Sequence, residues 1–134
     1  MSVDWYQDRV LAEVRQAAMR GVVRGAERVR GEIVRLITQT PKTGLIYRRR
    51  GVEHQASAPG EAPASDTGRL VNSTRIEYDV PQLSADVVVS TEYAHALEYG
   101  TQTIEPRPFA RPALANKRAE IEDDVNAELA AVLQ

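Results

Sequence analysis

A regular hydrophobic period runs through the first part of the chain, from residue 4 to residue 38. Apolar or small residues recur there at spacings of three and four, which is the repeat of one helix face. These positions are Leu11, Val14, Ala18, Val22, Gly25, Val29, Ile33 and Leu36. Pro41 marks the end, because the residue before a proline avoids the α region. The pattern therefore predicts a single long N-terminal helix.

Three glycines lie inside this predicted helix, at Gly21, Gly25 and Gly31. Each costs about 1 kcal/mol relative to alanine in a helix interior. That cost is tolerable where a neighbouring element packs closely against the glycine. The alternative interpretation is a bend in the helix.

Charge is unevenly distributed along the chain, with a net of +5 over residues 1–75 and −7 over residues 76–134. Arg20, Arg24 and Arg28 stack on one helix face, where like charges repel. This stripe requires an acidic partner or solvent, whereas nucleic-acid contact is disfavoured by the overall charge of −2. The asymmetry suits head-to-tail contact between like subunits, or pairing of the two halves within one fold.

The composition limits the class of protein. The chain of 134 residues contains no cysteine, which excludes a disulfide framework and thiolate metal sites. No apolar run reaches the roughly 18 residues needed to cross a bilayer, and the N-terminus lacks a signal-peptide pattern. We therefore expect one soluble domain over residues 1–134, made in a cytosol. With only seven aromatic residues, its core is predicted to be thin.

Residues 39–69 form a long irregular stretch, and segments of this kind are usually functional or disordered. Leu45, Ile46 and Tyr47 can form a short hairpin with the residues after Gly51. Residues 57–70, rich in proline, glycine and alanine, hold almost nothing that could fill a core. We expect residues 39–69 to be a mobile arm that gains order only against another surface.

The second half of the chain predicts a small antiparallel sheet. Alternation over Leu70–Val80 indicates a strand with Asn72, Thr74, Ile76, Tyr78 and Val80 on its buried face. Pro81–Ser84 is the turn, Ala85–Ser90 the second strand, and Thr101–Ile104 a third extended piece that returns to the sheet.

Two more helices are predicted in this half. A short helix follows Thr91, which caps it; Tyr93, Ala96 and Leu97 face inward, and Gly100 ends it in the left-handed conformation. The last helix covers residues 112–133, because Pro112 suits a first helical turn. Its apolar stripe consists of Leu114, Ile121, Val125, Leu129 and Val132. Its acidic residues, predicted to face outward, are Glu120, Glu122, Asp123, Asp124 and Glu128. The fold class is α+β, with the C-terminal helix packed on the sheet.

Candidate catalytic residues are few. His54 and His95 lack the spacing of metal ligands, and Asp66-Thr67-Gly68 matches the aspartic-protease triplet without its flanking apolar strand. Glu98 lies at a helix end where the dipole disfavours a carboxylate, so Arg107 or Arg111 is its expected partner, unless it is an ordinary exposed glutamate. We predict no enzyme activity, no metal and no cofactor.

Three blocks of sequence appear in a fixed order: "PGEAP" leading to "DTGRL" (residues 59–70), "YAHALEYGT" (93–101) and "RPFARPA" (107–113). Together they resemble the HK97 gp10-like family of tailed-phage and prophage proteins, which also occurs in gene transfer agents. The residues assigned to an inter-subunit arm are Arg48, Arg49, Arg50, Pro59, Gly60, Glu61, Pro63, Asp66, Thr67 and Gly68. The residues assigned to the structural motif are Tyr93, Glu98, Gly100, Arg107, Pro108, Phe109, Arg111 and Pro112.

The resemblance implies a structural virion protein of the head–tail connector, in the neck or in tail completion, assembled in the bacterial cytoplasm. Its expected partners are sister subunits in a six-fold homo-oligomeric ring and the neighbouring connector and tail proteins, with DNA passing through the lumen unbound and no membrane. Arg48–Arg50 would meet either that DNA or an acidic neighbour. The alternatives are a tail terminator or stopper ring of the same region and, from another class, a DNA-binding regulator.

Overall fold

The computed structural model describes residues 3–64 and 68–133. Their order along the chain is α1 (Val3–Thr38), β1 (Ile46–Arg49), β2 (Val52–Gln55), α2 (Arg69–Asn72), β3 (Thr74–Asp79), β4 (Ser84–Val89), α3 (Ala94–Tyr99) and α4 (Ala110–Leu133). The predicted α+β class, the long first helix and the last helix are confirmed. The strands form two separate antiparallel pairs, β1 with β2 and β3 with β4.

Helices α1 and α4 pack directly on one another, and two glycines of α1 permit the close approach. A Cβ atom added at Gly21 would lie 2.6 Å from the Cα of Val125, and one added at Gly25 would lie 2.8 Å from Cγ2 of Ile121. The interpretation of these two glycines as packing positions is confirmed. Gly31 differs, since a Cβ there would meet no atom within 4 Å.

The arginine stripe of α1 is neutralised within the chain. Arg20 Nε lies 2.9 Å from Glu128 Oε2, Arg24 Nη1 lies 3.4 Å from Glu128 Oε1, and Arg28 forms a bidentate pair with Asp124. The prediction that Asp124 and Glu128 face outward is wrong, because Asp124 is buried and the Glu128 side chain is only 15% exposed. Part of the charge asymmetry therefore serves contact between the two helices.

The core lies at the C-terminal half of α1. Its largest fully buried side chains are Phe109, Ile33 and Ile37, joined by Val29, Leu70, Ala94 and Ala113. Val87 and Val89 of β4 and Ile121 of α4 pack against this cluster. Leu11 and Leu114, which the periodicity placed on apolar stripes, are 58% and 47% exposed. The periodicity of a helix identifies its apolar face, but the elements packed against the helix decide how much of that face is covered.

The predicted strand over Leu70–Val80 is wrong in its first part. Residues 69–72 form the helical turn α2, in which the Asn72 N–H donates to the Gly68 carbonyl at 2.8 Å and Leu70 is buried. The strand begins at Thr74, whose hydroxyl donates to the Leu70 carbonyl at 3.0 Å. Tyr78 and Val80 are exposed, because alternation shows which side chains share a face but not whether another layer covers it.

The third strand, over Thr101–Ile104, is absent from the described part of the chain. The Thr101 N–H instead donates to the Ile104 carbonyl at 2.8 Å, and the Thr101 hydroxyl accepts from the N–H groups of Thr103 and Ile104. A threonine hydroxyl that accepts hydrogen bonds from nearby backbone N–H groups favours a turn over strand pairing.

The start of α3 also differs from the prediction. Thr91 does not cap the helix, and its hydroxyl is buried without a hydrogen-bond partner among the described residues. Tyr93, expected to face inward, is 38% exposed, with the Arg69 guanidinium 5.7 Å from its ring centre. The buried residue at this end is Ala94, because α3 begins there rather than at residue 91.

Candidate functional site

Leu70 of the first block, Ala94 of the second and Phe109 of the third lie in one core cluster. The second and third blocks also meet at the carboxylate of Glu98. Glu98 Oε2 accepts hydrogen bonds from the backbone N–H groups of Phe109 and Ala110 at 2.8 and 2.9 Å. Glu98 Oε1 accepts from the N–H of Arg111 at 2.8 Å and from its guanidinium at 3.0 Å. The first turn of α4 leaves N–H groups without partners inside the helix, and Glu98 satisfies three such groups at the start of α4. We call this arrangement, together with the residues tied to it below, the junction.

Glu98 is almost completely buried, with 5% of its surface exposed. Burial raises the pKa of its carboxyl, but the backbone donors of Phe109, Arg111 and Ala110 and the Arg111 guanidinium outweigh that effect and hold the pKa below its ordinary value. Of the two partners proposed from sequence, Arg111 pairs with the carboxylate. The Arg111 guanidinium also lies 4.6 Å from the ring centre of Tyr99.

Arg107 of the third block connects the second block to the segment that leads into the first. Its N–H donates to the Leu97 carbonyl at 2.6 Å, and its guanidinium donates to the Ser57 carbonyl at 3.3 Å. The Gly60 N–H donates to the Pro106 carbonyl at 2.9 Å. Residues that are distant in sequence thus share one network of hydrogen bonds.

Gly100 allows the chain to turn from α3 into the third block. Its φ is +78° and its ψ 174°, a region that only glycine adopts readily, rather than the left-handed helical region predicted from sequence. A Cβ at this position would lie 2.9 Å from both the Ile104 carbonyl oxygen and the ring of Pro106. Both conformation and space therefore require glycine here.

Glu61 organises the loop that carries the first block. Its Oε1 accepts from the N–H groups of Ala58 at 2.7 Å and Thr43 at 3.0 Å, and its Oε2 accepts from the Thr43 hydroxyl at 3.0 Å. The Ala58 and Thr43 backbone donors lower the pKa of the Glu61 carboxyl. Pro108 and Pro112 of the third block face this loop across a cleft of about 250 Å³, whose lining includes Gly60 and Glu61.

Lys42 fastens the same loop to the end of α1. Its ammonium donates to the Leu36 carbonyl at 2.8 Å and to the Ala62 carbonyl at 2.9 Å, and burial lowers its pKa. Sequence reasoning missed Lys42. The available signal was its place just beyond a helix C-terminus, where lysine commonly bonds the last carbonyls.

The expectation of a mobile arm is wrong for much of residues 39–69. Ser57 and Pro63 are buried, and the bonds from Lys42 to Leu36, from Arg107 to Ser57 and from Gly60 to Pro106 hold the surrounding residues against the body of the same chain. The physical reason is that hydrogen bonds to backbone groups add to the packing of the few small apolar side chains, such as Ala62 against the core. Of the other arm candidates, Asp66 and Thr67 lie outside the described residues, while Gly68, with a φ of +77°, precedes α2.

The predicted hairpin is confirmed and stands at the outer end of this segment. Its two central turn residues, Arg50 and Gly51, have φ values of +54° and +77°, as a two-residue hairpin turn requires. Gly44 and Ala56 close its base, since the Gly44 N–H donates to the Ala56 carbonyl at 2.9 Å.

The hairpin carries uncovered apolar side chains beside basic ones. Leu45 is 84% exposed and Ile46 is 61% exposed, and Arg48 and Arg50 are exposed beside them. The side chain of Arg49 is outside the described set. We refer to Leu45, Ile46, Arg48 and Arg50 as the hairpin surface.

Both histidines of the chain lie beside a tyrosine ring. His54 stacks on Tyr47 in the hairpin at 5.7 Å between ring centres, and His95 lies 4.8 Å from the Tyr99 ring. Within residues 3–64 and 68–133, no group of three or more histidine or acidic side chains is placed to hold a metal ion. No helix in those two ranges has the length and apolar character needed to cross a membrane.

Comparison of the chain with protein-family models, with curated proteins and with solved structures finds no match in any of the three.

Proposed function

We propose that this protein is a structural component of the head–tail connector of a tailed-phage-like particle, acting in the neck or in tail completion as a subunit of a ring. The observation that carries the proposal is the meeting of the three sequence blocks in one core cluster, with the Glu98 junction joining the second block to the third. Isolated apolar side chains on a surface are ordinary, but a strand that begins with Ile46 61% exposed, directly after Leu45 84% exposed, is costly unless a partner covers it.

The junction supports an architectural role for the residues of the resemblance. The buried carboxylate of Glu98 accepts hydrogen bonds from backbone N–H groups at the start of α4, and the Arg111 guanidinium also donates to it. Groups engaged in this way hold elements at fixed positions. The hairpin is therefore attached to a defined base, which reduces the conformational entropy lost when a partner binds.

The DNA-binding alternative is less well supported. Arg20, Arg24 and Arg28, the three arginines that suggested it, each lie within 4.0 Å of an acidic group of α4. A protein that grips DNA must offer its cations to phosphates, and these cations are already engaged. Arg48 and Arg50 remain exposed, and in a ring they would face either a neighbouring subunit or the passing genome.

The proposal is tested by removing the gene from a strain that produces the particle and supplying variants in its place. Without the protein, we expect separate heads and tails in electron micrographs, and complementation by the original chain should restore joined particles. Leu45→Ser combined with Ile46→Ser should fail to restore them while the protein remains folded. Leu133→Ser is the matched control, because Leu133 is an apolar residue 68% exposed at the other end of the chain.

Particles that assemble normally without the chain, or purified particles that lack it, would contradict the proposal. Tails of uncontrolled length would instead assign the terminator role, and heads that lose their DNA would assign the stopper role.

A further inference from the structure

Each of the four strands keeps one edge unpaired in the described part of the chain. The β1–β2 and β3–β4 pairs are separate two-stranded sheets. A two-stranded sheet is marginally stable in water, and an open edge offers backbone N–H and C=O groups to a further strand. The two hairpins therefore have edges on which another strand can pair.

The edge of β4 borders an apolar groove of about 420 Å³ between α1 and α4. Residues 85–87 of β4 form one wall and residues of α4 the other, while no residue of β3 lines it. Since β3 occupies one edge of β4, the strand turns its unpaired edge toward the groove. Leu114, on the α4 wall, is 47% exposed, so part of the apolar lining lies open.

The hairpin surface has the properties that such a groove requires. Leu45, just before β1, and Ile46, its first residue, are exposed apolar residues. Arg48 is exposed, and on β4 so is Asp86; within residues 3–64 and 68–133, neither has an ion-pair partner. Arg48 has Glu53 opposite it on β2, and Asp86 has Glu77 opposite it on β3, so pairing of the β1 and β4 edges would bring a positive and a negative charge together.

We propose that β1 of one copy of the chain pairs antiparallel with the open edge of β4 in a second copy. The register follows from alternation: Val87 and Val89 pack toward the core, so Asp86 and Val88 face outward. Placing Arg48 opposite Asp86 sets Ile46 opposite Val88.

The same register directs Leu45 and Tyr47 to the groove side of the extended sheet. The result is a four-stranded sheet shared by two subunits, and because its two surfaces differ, the contact is head-to-tail and can close into a ring. The inference deepens the proposed function, on which its biological meaning rests, but its test uses only the purified protein.

Disulfide trapping tests the register directly, because the chain has no cysteine of its own. Chains carrying Ile46→Cys are mixed with chains carrying Val88→Cys and oxidised. Residues directly opposite in an antiparallel pair have Cβ atoms about 4.5–5.5 Å apart, which is within reach of a disulfide after a small adjustment. We expect a linked dimer from this mixture. Ser84→Cys is the matched control, since it lies on the same face of β4 four residues away and should not link to Ile46→Cys.

A charge exchange tests the energetics. Arg48→Asp and Asp86→Arg should each weaken self-association at least about tenfold in sedimentation velocity, because each places like charges opposite one another. Both changes in one chain should restore association. Glu122→Arg reverses the charge of an exposed acid of α4 that does not line the groove and should leave association unchanged.

An oligomer with no 46–88 link and no response to the charge exchange would overturn the pairing and leave the connector role standing. A chain that stays monomeric at all concentrations, or an intrachain link in a monomer carrying both cysteines, would also overturn it. Absence of the chain from particles would contradict the connector role instead, without affecting the trapping result.

Discussion

Glu98 and Phe109 are eleven residues apart in the chain, yet the carboxylate of the first accepts the backbone N–H of the second at 2.8 Å. The bond joins the end of α3 to the start of α4. Together with the bonds from residues 110 and 111, it places a negative charge at a helix N-terminus, where the helix dipole favours it. The dipole at the C-terminus of α3 disfavours the Glu98 carboxylate, and the dipole at the N-terminus of α4 compensates for this.

Glu98→Gln should destabilise the protein by about 2–4 kcal/mol. The amide keeps the size of the side chain but can present only one oxygen, so backbone donors at residues 109–111 lose an acceptor and Arg111 loses its counter-charge. Urea unfolding monitored by circular dichroism measures the change. Glu92→Gln is the control, because Glu92 is exposed, and it should alter the unfolding free energy by less than about 0.5 kcal/mol. Equal losses for the two variants would show that the Glu98 network contributes nothing specific.

The pH dependence of stability should reveal the same carboxylate. The folded pKa of Glu98 lies below the unfolded value of about 4.3, so the unfolded chain binds the proton more readily. The contribution of Glu98 is then complete above the unfolded pKa and is lost as pH falls through the folded pKa. We expect the gap in unfolding free energy between the original chain and Glu98→Gln to narrow between pH 7 and pH 3. A gap that widens toward acid would contradict the assignment.

Replacing Gly21 or Gly31 of α1 by alanine should change the free energy of unfolding in opposite directions. Gly21→Ala should destabilise by about 1–3 kcal/mol, because the new methyl group would meet the backbone of Val125 at 2.6 Å and separate the helices. Gly31→Ala should stabilise by about 0.5–1 kcal/mol, because nothing lies within 4 Å and alanine is the better helix former. Thermal unfolding of both variants measures the difference. A stabilising Gly21→Ala would mean that α1 and α4 do not pack this closely in solution.

The arginine stripe should not bind DNA with useful affinity. A gel shift with a duplex at low salt is expected to show weak binding that disappears near physiological ionic strength. Replacing Arg20, Arg24 and Arg28 by glutamine should lower thermal stability, because Asp124 and Glu128 would lose their partners. Tight binding by the original chain that this triple variant abolishes would favour the regulator instead.

The helices and the β1–β2 hairpin could be predicted from sequence because their signals are local. A period of 3.6 residues, a proline just beyond the helix end and a glycine between two short runs act over distances of a few residues. The strand assigned to residues 70–73 failed for the opposite reason. Alternation is present there, but Leu70 reaches the core from a helical turn, and only the surrounding elements offer it that position.

The same division applies to the junction. The three blocks were recognisable in order, but the partner of Glu98 was left open between two arginines and an exposed position. The segment over residues 56–63 was expected to be free because it contains little apolar surface. Its attachment includes bonds between Lys42 and the Ala62 carbonyl, between Glu61 and the Thr43 N–H, and between Arg107 and the Ser57 carbonyl. The place of Lys42 indicated a bond to the last carbonyls of α1, but no composition or spacing identified these partners across the chain.

The sequence by itself determined the two long helices, the absence of thiol chemistry and the opposite charges of the two halves, because periodicity and composition are properties of the chain. Only the tertiary structure decided that some of those charges form ion pairs between α1 and α4, that the Glu98 carboxylate of α3 bonds to the start of α4, and that residues 56–63 attach to the body. Those outcomes depend on which groups are brought within hydrogen-bonding distance, and that distance exists only once the helices have packed.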